Sequence, residues 1–150
     1  MFSSDSVKKF NNLPTPFYYY DIDIIKNNLK SLKYSLRSNN KVHFSVKSNT
    51  NKRILEIVKS YNLGVDAVSY NEIKHCLDQG FDSKDIVFAG VGKTDEEIKK
   101  AIEKDIAYFN VESFQELDVI NQLSKKQSKQ TEVSIRTVSY THLRAHETRF

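Results

Sequence analysis

Val42-His43-Phe44-Ser45-Val46, Gly64-Val65-Asp66-Ala67-Val68, Asp85-Ile86-Val87-Phe88-Ala89 and Ala107-Tyr108-Phe109-Asn110 are four short runs rich in β-branched and aromatic residues. From Phe44 to Asp66 to Phe88 to Asn110 they recur about every twenty-two residues, enough for a strand, a loop, a helix and a return loop. Two further runs, Phe17 to Tyr20 and Glu132 to Arg136, read as strands on the same grounds.

Between the runs the period changes. Ile22, Ile25, Leu29, Leu32 and Leu36 recur at spacings of three and four, and Phe114, Leu117, Ile120 and Leu123 at three, which predicts one-sided helices. Ser69 to Glu72, Thr94 to Glu97 and Ser113 to Glu116 each place a hydroxyl three residues before a carboxylate, the spacing of a capping box. Strands alternating with helices predict an α/β fold with a parallel sheet, most simply part of a (β/α) barrel.

The chain has 150 residues, short for a barrel of roughly 250. Its 39% hydrophobic and 28% charged residues lie in the globular range. The net charge of +4 is scattered, with no block of like charges, so nucleic acid is not an expected partner. Cys76 is the only cysteine, which leaves no internal disulfide and fits a reducing, cytoplasmic setting. Met1 to Asn12 has no signal-like apolar core, and no run approaches the roughly 20 apolar residues of a membrane helix.

In a barrel, functional groups come from the C-terminal ends of the strands. That rule selects Lys47 with Asn49, Asp66, Gly90 to Lys93, Glu112 and Arg136. Lys47 could be desolvated and nucleophilic there, as imine formation with an aldehyde requires; by position alone the commoner reading is a lysine that ends a strand in solvent. Arg136 could serve a site or merely end a strand. Glu112 and Glu72 sit at helix starts, where a structural role suffices. Ala89-Gly90-Val91-Gly92-Lys93-Thr94 imitates a phosphate-binding loop, but Val87 stands where its first glycine belongs. His43, His75 and Cys76 lack supporting carboxylates at ligand spacing, so no metal is expected; His43 reads as a strand residue and Cys76 as a small apolar contact.

Five ordered segments carry a resemblance: Thr15-Pro16-Phe17-Tyr18-Tyr19-Tyr20-Asp21; Phe44-Ser45-Val46-Lys47-Ser48-Asn49; Gly64-Val65-Asp66-Ala67-Val68-Ser69 with Glu72-Ile73; Ile86 to Thr94; and Phe109 to Leu117. They resemble successive motifs of the diaminopimelate decarboxylase family. The resemblance implies the N-terminal portion of a (β/α)8 TIM-type barrel of the alanine racemase-like fold, with a C-terminal β domain missing from this chain. It implies pyridoxal 5'-phosphate as cofactor, Lys47 as catalytic Schiff-base lysine, and Asp66 and Arg136 beside the cofactor. The implied reaction removes the D-centre carboxylate of meso-2,6-diaminopimelate to give L-lysine, in a homodimeric parent acting on an amino-acid substrate. Ornithine, arginine or carboxynorspermidine decarboxylases share the fold, as do non-catalytic pyridoxal-phosphate homeostasis proteins. The family's proton-donating cysteine and cofactor-stacking histidine lie further downstream.

After Arg136 the family pattern stops. Val138 to Thr148 instead resembles a translated transposase adapter, so residues 1–136 are expected to be a partial cofactor-binding barrel and 137–150 a non-native tail. A half-barrel exposes open sheet edges, and this exact polypeptide is expected to be inactive and aggregation-prone.

Overall fold

The computed structural model describes residues 4–37 and 39–137; the predicted tail beyond Thr137 lies outside the described residues. The chain divides into two units, residues 1–36 and 37–150. The first contains helices α1 (Ser4–Asn11) and α2 (Ile22–Ser35). Asp21 caps α2 by accepting from the Asp23 and Ile24 amides. The predicted apolar stripe lies on α2, yet none of its residues is buried.

Phe17 to Tyr20, expected to be a strand, has no strand partner among the described residues. Propensity alone cannot hold a strand whose ladder bonds have nowhere to go. Within this unit Phe10 instead packs on Phe17 and Tyr19, at ring separations of 5.5 and 4.9 Å.

The second unit alternates strand and helix: β1 (His43–Ser45), α3 (Lys52–Ser60), β2 (Gly64–Ala67), α4 (Tyr70–Asp78), β3 (Ile86–Phe88), α5 (Asp95–Glu103), β4 (Tyr108–Val111), α6 (Phe114–Lys126) and β5 (Val133–Ile135). The strands are parallel and ordered β1-β2-β3-β4-β5. Sequential order without reversal means that every right-handed crossover advances the same way and lays its helix on the same face. That is an arc of a barrel, whereas a doubly wound sheet reverses direction at a switch point.

Cα partners Ser45, Asp66, Val87 and Tyr108 follow one another every twenty-one residues, one less than the sequence spacing suggested. In a strand, one residue of slip turns a side chain to the other face. Val65, Ala67, Ile86, Phe88, Phe109 and Val111 face the helices and are buried against Ile54, Leu55, Val58, Ile73, Ile98, Ile102 and Ile120. Asp66, Val87 and Asn110 therefore belong to the opposite face, the inner wall of the arc.

Each crossover helix of this unit ends the same way. The residue after its cap is left-handed: Asn62, Gly80, Asp105 and Ser128, with φ of 56, 79, 56 and 54°. The helix starts differ from expectation. Only Thr94 and Glu97 form the reciprocal capping box. Ser69 and Ser113 accept from the Glu72 and Glu116 amides, but those glutamates reach one residue further back, to the Val68 and Glu112 amides. Among the described residues no helix is long and apolar enough to cross a membrane.

Candidate active site

Lys47 lies in a 3-10 turn, Val46–Ser48, that follows β1. Val46 is fully buried and anchors the turn, while Lys47 itself is exposed. Ser48 Oγ donates to Ser45 O at 2.6 Å, and the Asn49 amide to Val46 O at 3.0 Å, so the backbone beneath the amine is fixed. One strand across, Asp66 pairs in register with Ser45. The ends of β1 and β2 thus place a primary amine and a carboxylate on one rim.

Burial pushes the Asp66 carboxyl above its ordinary range, opposed first by the Lys47 charge and then by His43, Arg136 and Lys93. Asp66 Oδ1 is buried without a hydrogen-bond partner, as are His43 Nε2 and Ser45 Oγ. Buried polar atoms are ordinarily hydrogen-bonded, so these three, on adjacent strands, are places where a bound group could be met. His43 is one layer lower: its ring lies over Gly64, where an added Cβ would stand 2.8 Å from Nε2, and meets the Tyr108 ring edge-on at 6.2 Å. Burial lowers its imidazole below the ordinary value, helped by Lys41 and opposed by Asp66 and Asp85.

Arg136 follows β5. Its amide donates to Val111 O at 3.0 Å and its guanidinium to Glu112 Oε1 at 3.1 Å. A hollow of about 330 Å³ beside it is lined by Val111, Glu112, Phe114, Leu117, Ile135 and Arg136 among others. A larger one, about 520 Å³, lies among Lys41, Lys84, Asp105 and Glu132 at the opposite strand ends, away from Lys47 and Asp66.

The glycine-rich loop is no anion cradle built around its lysine. Lys93 Nζ is folded inward, donating to Gly90 O at 2.7 Å, Asn110 O at 2.8 Å and Glu116 Oε1 at 2.6 Å. Glu72 serves the start of α4, as its position suggested. Glu112 is not the cap of α6: Ser113 caps that helix by accepting from the Glu116 amide, and the Glu112 carboxylate turns to Arg136. Sequence reasoning missed this pairing, which joins residues 24 apart and has no local signature. His75 Nε2 meets Thr50 O at 3.0 Å, and Cys76 is a buried core contact. Among the described residues no group of three or more His, Cys, Asp or Glu could hold a metal.

The donor set suits an anionic aldehyde. An exposed amine can bond covalently, a buried unpartnered carboxylate oxygen can meet a donor, and a half-exposed guanidinium can meet an acceptor.

Comparison with known proteins agrees. Residues 22–149 match the family described as pyridoxal-dependent decarboxylase, pyridoxal binding domain. Diaminopimelate decarboxylase of Bacteroides thetaiotaomicron is 42% identical over 132 residues, 87% of this chain and 34% of that protein. That of Campylobacter jejuni is 35% identical over 133 residues, 88% of this chain and 33% of its own. The crystal structure of the Helicobacter pylori diaminopimelate decarboxylase complexed with L-lysine superposes with a TM-score of 0.81 at 35% identity, over 87% of this chain and 34% of that one. The chain spans about a third of the length of these relatives. It belongs to the pyridoxal-dependent decarboxylases, through their pyridoxal-binding domain.

Proposed function

We propose that the chain is the N-terminal third of a pyridoxal-phosphate-dependent decarboxylase that converts meso-diaminopimelate to L-lysine. The observation that supports the reading is the placement of Lys47, in the turn after β1, and Asp66, on β2, at the C-terminal ends of adjacent strands. The names of the relatives at 35 to 42% identity support the choice of substrate.

Bound pyridoxal phosphate supplies an electron sink for the carbanion left when carbon dioxide departs. Lys47 Nζ would hold the cofactor covalently, and its exposure leaves room for an amino-acid substrate to displace it. Asp66 would keep a counter-charge beside that amine, since Lys47 is the strongest single offset to its burial. Arg136 would orient the cofactor from the far side of the rim by directed N–H donors.

The same reading makes the complete protein a cytoplasmic homodimer with an amino-acid substrate. We propose separately, from the sequence after Arg136, that 137–150 is a foreign tail and that the 150-residue polypeptide does not turn over substrate by itself.

The test is complementation of a lysine-requiring bacterium that lacks this decarboxylase. The uninterrupted gene, recovered by resequencing past codon 136, should restore growth; its K47A form and the 150-residue chain should not. Growth supported by K47A would overturn the assignment of Lys47, and failure of the uninterrupted gene would overturn the substrate.

A further inference from the structure

We infer that Glu112 is a positioning residue for Arg136, and that the buried Lys93–Glu116 pair fixes Glu112 in turn. The inference rests on the reading that Arg136 belongs to the cofactor site.

Arg136 stands at the end of β5 with 57% of its side chain exposed, and a free guanidinium on a long stem is spread over many rotamers. To present a directed donor it must be held. Its amide donates to Val111 O at 3.0 Å, which fixes where the side chain begins. Glu112 Oε1, 3.1 Å from the guanidinium, fixes where it ends. Glu112 is the more enclosed partner, with 14% of its side chain exposed.

Glu112 is itself held from behind. Its amide donates to Glu116 Oε2 at 3.0 Å, while Glu116 Oε1 takes Lys93 Nζ at 2.6 Å. Lys93, 1% exposed, spends its other two donors on Gly90 O and Asn110 O, at the ends of β3 and β4. An alternating path therefore runs along the rim: buried ammonium, bidentate Glu116, the Glu112 backbone, the Glu112 carboxylate, the Arg136 guanidinium. Helix capping does not explain the carboxylate, because Ser113 is the cap of α6, accepting from the Glu116 amide, and the Glu112 carboxylate is turned to Arg136. Stability does not explain it either, because an ion pair open to solvent on one side contributes little. Orientation of Arg136 is the role that remains.

The test uses the full-length protein as wild type, E112Q, E112D, R136Q and E112Q/R136Q, with circular dichroism confirming that each folds. In the first arm, without cofactor, phenylglyoxal modification of Arg136 is followed by peptide mass spectrometry. E112Q should react about fivefold faster than wild type, the upper end for release of an exposed ion pair, and E112D should recover part of the protection. In the second arm, pyridoxal phosphate affinity is titrated. E112Q and R136Q should weaken it alike, and the double variant should be no weaker than R136Q. Unchanged Arg136 reactivity in E112Q, or additive losses in the double variant, would overturn the inference. Failure of the wild type to bind the cofactor would count against the reading of the site, and the phenylglyoxal arm would still decide the role of Glu112.

Discussion

Lys93 Nζ stands 2.6 Å from Glu116 Oε1, with 1% of the lysine and 12% of the glutamate side chain exposed. Lys93 donates to two main-chain carbonyls as well, and its charge lies over the Phe88 ring, 5.6 Å from the centroid. The glycine-rich segment that imitates a phosphate loop is thus a strand-to-helix turn locked from inside. Breaking a buried pair leaves the surviving charge uncompensated. K93M should therefore lose about 3–5 kcal/mol of stability. Lys41 makes an equally short bond to Asp85, but both side chains are about half exposed, and K41M should lose no more than about 1 kcal/mol. Urea unfolding of the two variants checks this, and similar losses would refute the distinction.

Gly64 sits where β2 is crossed by a side chain from β1. A Cβ there would lie 2.5 Å from His43 Cδ2 and 2.6 Å from the Asp85 carbonyl oxygen. The imidazole can swing aside, but a carbonyl at a strand junction cannot. G64A should cost about 1–3 kcal/mol, as overpacking does. Adding H43A should recover only part of the loss, because the carbonyl contact persists. Full recovery in the double variant, read from thermal unfolding, would show that the imidazole alone enforces the glycine.

These contacts show how far the sequence could be read. β1 to β5 were legible as short runs rich in β-branched and aromatic residues, α6 by its apolar repeat, and the starts of α4, α5 and α6 by a hydroxyl three residues before a carboxylate, all of them local signals. Face assignment was harder. A spacing of twenty-two grouped Phe44 with Asp66, whereas the register of twenty-one pairs Ser45 with Asp66 and sends Phe44 to the other face. Strand positions put Lys47 and Asp66 among several strand-end residues, and only the resemblance of the five ordered segments singled them out. The burial of Lys93 and the Glu112–Arg136 pair could not be picked out, since each depends on partners more than fifteen residues away. Phe17 to Tyr20 failed for the opposite reason: its propensity was strong, but a strand also needs a partner.

Asp66 and His43 give the chain a pH signature of opposite signs. Burial raises the Asp66 carboxyl, so the folded state holds that proton more tightly than the unfolded state does. Its cost to stability appears as pH rises from the unfolded value near 3.8 through the folded value, and is complete above it. His43 is lowered, so its cost appears as pH falls from 6.5 through its folded value. D66N should gain on the wild type as pH rises through the first window and then hold a constant difference. H43Q should lose less stability than the wild type on acidification through the second. Because Lys47 is the largest charge opposing the Asp66 shift, K47Q should move the Asp66 window upward. Urea midpoints between pH 3.5 and 8 check all three, and a downward shift in K47Q would break the link between the two residues.

Cys76 offers a probe of how the helical layer opens. It is fully buried on α4, and burial with the nearby Glu72 charge pushes its thiol to about 12. At pH 8 the folded chain therefore presents almost no thiolate, and alkylation must wait for an opening that exposes the group. Iodoacetamide should modify native Cys76 far more slowly than the unfolded chain, with the logarithm of the rate rising linearly in urea. If α4 leaves only when the sheet does, that slope matches the one from equilibrium unfolding; a shallower slope would mean that α4 detaches alone. Hydrogen bonds at both ends of α4, the Val68 amide donating to Glu72 Oε2 and the Phe81 amide to Cys76 O, predict the steeper result. Fast modification independent of urea would show that Cys76 is reached without unfolding, and would sink the assignment of its thiol to the core.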